Sequence, residues 1–181
     1  MKKILAFGAS TSSTSINKQL AGYAASQLAG VAYEVIDLND FEVPVYSEDL
    51  EKREAYPAGA EAFNKELDKY DGFIVSLAEH NGSYTAAFKN LFDWASRKDR
   101  MVFRNKPTLV LATSPGARGG ATVLAAGTAT FPHLGAEIVG SYSLPSFYDN
   151  FKDGELVELS KKDDLQKLVS ELESAILSEV E

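Results

Sequence analysis

Apolar residues in this chain gather in short unbroken runs, and the segments between them carry a helical period. Ile4–Phe7 is the first run, Tyr33–Leu38 (YEVIDL) the second and Asp71–Leu77 (DGFIVSL) the third; Thr108–Thr113 (TLVLAT) and Glu137–Tyr142 follow. Continuous apolar character is what a strand covered on both faces requires, so these runs predict five strands of a parallel sheet. Between the first two, Ser15–Leu28 places Ile16, Leu20, Tyr23, Ala24 and Leu28 near helical spacing, with Gly30 as a stop. Ala58–Lys69, Tyr84–Arg97 and Gly120–Phe131 predict further helices. The last segment, Ser160–Leu177, repeats Leu165, Leu168, Val169, Leu172 and Ile176 on one face, and Ser160 with Asp163 is expected to cap it. Phe41–Pro57 has no clear period and is expected to be an irregular connection.

Five βα units predict an α/β fold, an open doubly wound parallel sheet with helices on both faces, and residues 1–181 are read as a single domain. Ligands of such sheets lie outside the carboxyl ends of the strands, where the strand order reverses. That makes the loops after the first, third and fourth strands the ones to inspect.

Composition narrows the partners. The net charge of −8 argues against nucleic acid or an anionic membrane as the main partner. Cysteine is absent, which removes disulfides, iron–sulfur clusters and thiolate chemistry. The apolar run after Met1-Lys2-Lys3 is too short for a signal-peptide core, and no later segment approaches a membrane span, so a soluble cytoplasmic protein is expected.

All three loops are unusual. The first, within FGASTSSTSIN, sets six hydroxyl residues, Ser10 to Ser15, between a strand and a helix start. Helix capping accounts for one or two of them. Six favour a phosphate cradle, in which small side chains let an anion approach the main-chain amides of the helix terminus. Neither G-x-x-x-x-G-K-[ST] nor G-x-G-x-x-G is present, and only Gly8 follows the first strand, so Asp37 is read as a solvated strand-end residue rather than a ribose ligand. The second loop, LAEHNGSYTAAFKNLFDWA, carries Glu79-His80-Asn81-Gly82, where a planar ring can rest against extended backbone; Asn-Gly is also a common turn. The third, TSPGARGGAT, has Gly116, Gly119 and Gly120 to direct amides at a ligand. Three permissive loops at one sheet edge predict a mononucleotide site.

These residues resemble the NAD(P)H-dependent FMN reductases of flavodoxin-like fold, which include quinone, azo and chromate reductases. The family pattern G-S-x-R-x-x-S-x-N is matched by Ser10, Ser15 and Asn17, with Ala9 for the glycine and Ser12 for the arginine. P-E-Y-N-x-S and the L-K-N-x-x-D-W helix are matched by Glu79, Asn81, Ser83, Lys89, Asn90, Asp93 and Trp94, with Ala78 and His80 replacing proline and tyrosine. Ser114, Gly116, Gly119 and Gly120 meet the third motif. The resemblance implies a strand order of 2-1-3-4-5 and an FMN site. Ser10, Ser12, Ser15, Ile16 and Asn17 would hold the phosphate. Ala78, Glu79, His80, Asn81 and Gly82 would line the ring and ribityl chain, and Ser114, Pro115, Gly116 and Gly119 would meet the pyrimidine edge. Losing the arginine removes a charge-assisted phosphate bond of about 1.5–3 kcal/mol.

The implied activity transfers hydride from NADPH or NADH to the flavin and on to a small-molecule electron acceptor such as free flavin, a quinone, an azo compound or a metal oxyanion, with no catalytic side chain and no metal. A non-enzymatic flavodoxin-type carrier is the alternative. A serine hydrolase lacks a G-x-S-x-G elbow, and two isolated histidines, His80 and His133, offer no metal-ligand set; His133 is read as structural. The resemblance also implies a homodimer or homotetramer through the helix Tyr84–Arg97. Trp94 lies off its core stripe, either capping the fold's edge or packing on another subunit, and Arg97, Lys98 and Arg100 form a solvated face.

Overall fold

Alternation along the first strand sets the layers. Ile4 and Ala6 face one way and Leu5 and Phe7 the other, all with at most 1% exposure. A strand that buries both faces needs a helical layer on each, and the computed structural model, which describes residues 1–178, supplies both. β1 (Lys3–Ala9), β2 (Ala32–Ile36), β3 (Gly72–His80), β5 (Lys106–Thr113) and β6 (Ala136–Leu144) form one parallel sheet. α1 (Ile16–Ser26) and α7 (Leu159–Ser178) cover the Ile4 face, burying Leu20, Ala24, Leu165, Val169, Leu172 and Ile176. α3 (Ala58–Leu67), α4 (Ala86–Lys98) and α5 (Ala121–Thr130) cover the other, where Phe7, Phe63, Phe73, Phe88, Phe103 and Phe131 interlock at edge and tilted angles.

The strand order is β2-β1-β3-β5-β6, with a two-residue strand β4 (Ser83–Tyr84) antiparallel on the end of β3. It departs from the simple 2-1-3-4-5 count because the second loop is a hairpin. Asn81 and Gly82 both have positive φ (52° and 74°), the two-residue turn that fits strand twist, and they fold Ser83 back onto His80. The tail holds two more short strands, β7 (Phe151–Lys152) and β8 (Glu155–Leu156), after a one-turn helix α6 (Phe147–Asn150).

Phe41–Pro57 is only partly irregular. It contains α2 (Glu48–Arg53), capped by Ser47, with Glu48, Asp49 and Glu51 in its first turn and Lys52 and Arg53 in its last. The segment is fastened to α4. Asn90 Nδ2 and Trp94 Nε1 both donate to the Pro44 carbonyl, at 2.9 and 2.8 Å, and Asn90 Oδ1 accepts from Tyr46 N at 2.8 Å. Trp94 is 1% exposed, boxed edge-on by Tyr46 and Tyr56. It therefore caps the edge of its own chain and offers no face to another subunit. Arg97 and Lys98 are also engaged, with Glu51 on α2 and Glu61 on α3. α7 begins at Leu159, so Ser160 lies inside its first turn and bonds Glu158 rather than Asp163. His133 is exposed on a 3-10 turn at Phe131–Leu134. Among the described residues no helix is long and apolar enough to cross a membrane.

Candidate functional site at the carboxyl edge of the sheet

β1 and β5 end within one residue of each other along β3, Ala9 beside Leu77 and Thr113 beside Ala78, and β3 runs on to His80, so the loops that follow them share one edge. The first turn of α1 sits tight against the end of β1. A Cβ on Gly8 would lie 2.3 Å from the Lys18 amide nitrogen, so only glycine permits this approach.

The hydroxyl loop is wired within itself. Ser10 N bonds the Gly8 carbonyl, Ser12 N bonds Ser10 Oγ at 3.1 Å and Thr14 N bonds Ser12 Oγ at 3.3 Å. Ser15 is the N-cap of α1 and accepts from Lys18 N at 3.1 Å. That leaves the next two amides of the helix, Ile16 N and Asn17 N, with no acceptor among the described residues. Gly116 N and Ala117 N on the third loop are equally unspent.

These loops enclose a cleft of about 200 Å³ lined by Ser10, Ser12, Thr14, Ser15, Ile16 and Asn17 on one side. Ala78, Glu79 and His80 form another wall, and Thr113, Ser114, Pro115 and Tyr148 complete it. Of the predicted residues, Asn81, Gly82, Gly116 and Gly119 fall outside the lining. Asn81 and Gly82 make the hairpin turn. Gly119 packs the third loop onto β6: with φ +58°, its Cβ would come within 2.7 Å of Pro145 N, and its own amide is spent on the Gly116 carbonyl at 3.2 Å.

Two residues that line the cleft have side chains committed elsewhere. Asn17 is 2% exposed; its Nδ2 donates to the Thr113 carbonyl, and its Oδ1 accepts from Thr113 N and from Ser76 Oγ at 2.8 Å. It ties α1 to β3 and β5, so of its polar groups only the main-chain amide is left unspent. Glu79 Oε2 accepts from Val123 N at 2.9 Å, capping α5, whose N-cap Gly120 has no side chain to do so. Asp37, read from sequence as a solvated strand end, is instead paired with Lys18 Nζ at 2.6 Å and accepts from Asn39 N at 2.9 Å. The lysine and then that amide hold its carboxyl below the usual carboxylate range. The cleft lining accordingly contains no lysine or arginine.

Sequence reading missed Thr14, Thr113 and Tyr148 in the lining. Thr14 belongs to the hydroxyl run already noticed, whereas Tyr148 lies beyond the third loop with no local motif to mark it. A second cleft of about 380 Å³ lies across the first loop, between Thr11, Leu38, Phe41, Val43, Asn90 and Leu91. Among the described residues, no three of His, Asp and Glu converge to hold a metal ion.

The description NADPH-dependent FMN reductase is that of a family model matching residues 2–150, a span that includes all three loops. A quinone reductase of Escherichia coli (strain K12) is 34% identical over 80 residues, 44% of this chain; the match covers 43% of that relative, less than half its length. FerB, a flavoenzyme NAD(P)H:(acceptor) oxidoreductase from Paracoccus denitrificans, superposes over 98% of both chains with a TM-score of 0.77 at 22% identity. A flavodoxin variant from Pseudomonas aeruginosa superposes over 96% of this chain and 99% of its own, with a TM-score of 0.57 at 18% identity. At these identities the two structures speak for a shared flavodoxin-like fold.

Proposed function

The chain belongs to the NADPH-dependent FMN reductase family, and on that premise we propose that it is an FMN-dependent oxidoreductase that carries electrons from NADPH or NADH to a small acceptor. The donor set of the cleft carries this reading. Two unspent helix amides, Ile16 and Asn17, converge with the hydroxyls of Ser10, Ser12, Thr14 and Ser15 in a cleft whose first loop is held in shape by its own hydrogen bonds. Such a set fits a phosphate ester, which needs several donors and no bulky side chain between them. About 200 Å³ is small beside the roughly 300–1,000 Å³ of a drug-sized pocket, and suits one end of a mononucleotide.

In this reading the six residues Ser10, Ser12, Thr14, Ser15, Ile16 and Asn17 hold the phosphate, the last two through main-chain amides. Ala78, Glu79, His80, Ser114 and Pro115 flank the ring and ribityl chain, and Gly116, outside the lining, offers its unspent amide from the third loop. Asn17, through its side chain, and Glu79 keep the three loops in register, while Asn81, Gly82 and Gly119 shape the loops behind them. FMN, when bound, supplies the two-electron chemistry between nicotinamide and acceptor. The protein's part is to bind, orient and leave the reacting face accessible, which requires no side-chain nucleophile.

The name quinone reductase borne by the Escherichia coli relative and the NAD(P)H:(acceptor) activity in the name of FerB support a quinone or similar small oxidant as acceptor, with free flavin, azo compounds and metal oxyanions in the same class. Family membership favours this over a carrier without nicotinamide activity. Residues 1–181 are read as one cytoplasmic FMN-binding domain. For assembly as a homodimer or homotetramer, the support is a groove beside α4 in which Tyr84, Phe88, Phe92 and Leu134 are rimmed by Lys89, Asp93, Ser96 and Thr130. The test is an anaerobic spectrum of the chain loaded with FMN. NADPH or NADH is expected to bleach the visible flavin band and benzoquinone to restore it; a band that neither donor alters would overturn the assignment.

A further inference from the structure

Tyr148 lines the cleft, yet the fold has no use for its phenol. The residue is 64% exposed, and its hydroxyl has no hydrogen-bond partner among the described residues. Its mount is nonetheless firm. The neighbouring Phe147 is 2% exposed and stacks on Phe151 at 4.9 Å, which fixes α6 to the core. Ser146 N and Phe147 N donate to the carbonyls of Gly116 and Ser114 at 2.9 and 3.0 Å, and Asn150 Nδ2 donates to the Pro145 carbonyl at 2.9 Å. Ser146 itself holds φ at +45°, a left-handed conformation that a residue with a Cβ adopts at a cost. The third loop and α6 thus form one rigid bracket that projects an aromatic ring and a free hydroxyl at the cleft. Burial of Phe147 explains the bracket but not the tyrosine it carries.

What the cleft lacks is a cation. No lysine or arginine lines it, and Lys18, the nearest along the first loop, is occupied by Asp37. Ser12 stands where the family pattern has arginine. An anion held there depends on neutral donors: the amides and hydroxyls of the first loop on one side, and on the others the unspent amides of Gly116 and Ala117, His80 and the Tyr148 hydroxyl. We infer that Tyr148 closes the anion end of the cleft, its phenol donating a hydrogen bond to the phosphate in place of the absent arginine. This inference rests on the reading of the cleft as an FMN site.

Fluorescence titration of the apoprotein with FMN and with riboflavin, which lacks the phosphate, separates the two claims. Tyr148→Phe keeps the ring and removes only the hydroxyl. It is expected to weaken FMN binding about tenfold, as loss of a hydrogen bond to a charged group does, and to leave riboflavin binding unchanged. Tyr148→Ala is expected to weaken FMN at least as much. If the wild type prefers FMN to riboflavin but Tyr148→Phe binds FMN as tightly, or loses affinity for both ligands equally, this inference falls alone. A wild type that binds neither flavin, or binds both equally, overturns the FMN reading with it.

Discussion

Two stretches carry the resemblance most visibly, the hydroxyl loop Ser10–Asn17 and the helix segment Phe88–Trp94, and the fold uses them in opposite ways. In the loop, the hydroxyls of Ser10, Ser12 and Ser15 accept from the main-chain amides of Ser12, Thr14 and Lys18, and the amides of Ile16 and Asn17 are left over beside a cleft. In the helix, nothing is left over. Asn90 and Trp94 spend their donors on Pro44, Lys89 pairs with Asp93, and Tyr56 OH reaches the Trp94 carbonyl at 2.7 Å. Partial burial pushes the Tyr56 phenol up to about 12, where its hydroxyl lies between the Trp94 carbonyl of α4 and Asn64 of α3. A residue pattern shared within a family can thus leave donors open beside a cleft in one place and buckle the chain in another. Only the hydrogen-bond account distinguishes them.

The largest effect that would break this comparison lies at Trp94. Trp94→Ala removes a fully buried indole and its bond to Pro44, and is expected to cost about 3–5 kcal/mol in urea unfolding. Were Trp94 a subunit contact instead, the variant would lose oligomer mass with stability intact. A smaller effect sharpens the other side. Ile16 is the first residue of α1, and Ser15 before it has φ −54° and ψ 113°, an extended backbone that tolerates a following proline. Ile16→Pro therefore deletes one unspent amide while costing about 1 kcal/mol or less in stability. It is expected to weaken FMN binding about tenfold by titration, as the loss of one donor to a charged phosphate should.

The smallest effect concerns Lys18 and Asp37. The folded carboxyl of Asp37 lies below its unfolded value, so the folded state binds fewer protons there and stability rises with pH. The contribution is complete above the ordinary carboxylate range and disappears as acid carries the pH through the lowered folded value. With both partners about one-third exposed, the pair contributes at most about 1 kcal/mol. Asp37→Asn is expected to lower the unfolding free energy by that amount at neutral pH and by nothing in strong acid, read from urea midpoints across the pH range.

The central strands β1, β3 and β5 were legible because they are buried on both faces and read as unbroken apolar runs such as Thr108–Thr113, whereas the edge strands β2 and β6 are partly exposed. The short elements were harder. α2 did carry a signal, Ser47 followed by Glu48, Asp49 and Glu51 with Lys52 and Arg53 at the end, but six residues give no hydrophobic period. β4 hid inside an Asn-Gly turn that also suits an open loop. In the site, the first loop was visible because the helix start follows it in sequence. The Glu79 cap on Val123 spans 44 residues, and Tyr148 reaches the cleft only through the bracket of α6 on Ser114 and Gly116, so neither had a local pattern to announce it.

The account stands most directly on which amides meet the anion. In a ¹H–¹⁵N spectrum recorded during FMN titration, the main-chain signals of Ile16 and Asn17 are expected to shift strongly and gain protection from hydrogen exchange, while the Trp94 indole and Asn90 side-chain signals stay in place. Saturating FMN with Ile16 and Asn17 unmoved would contradict it.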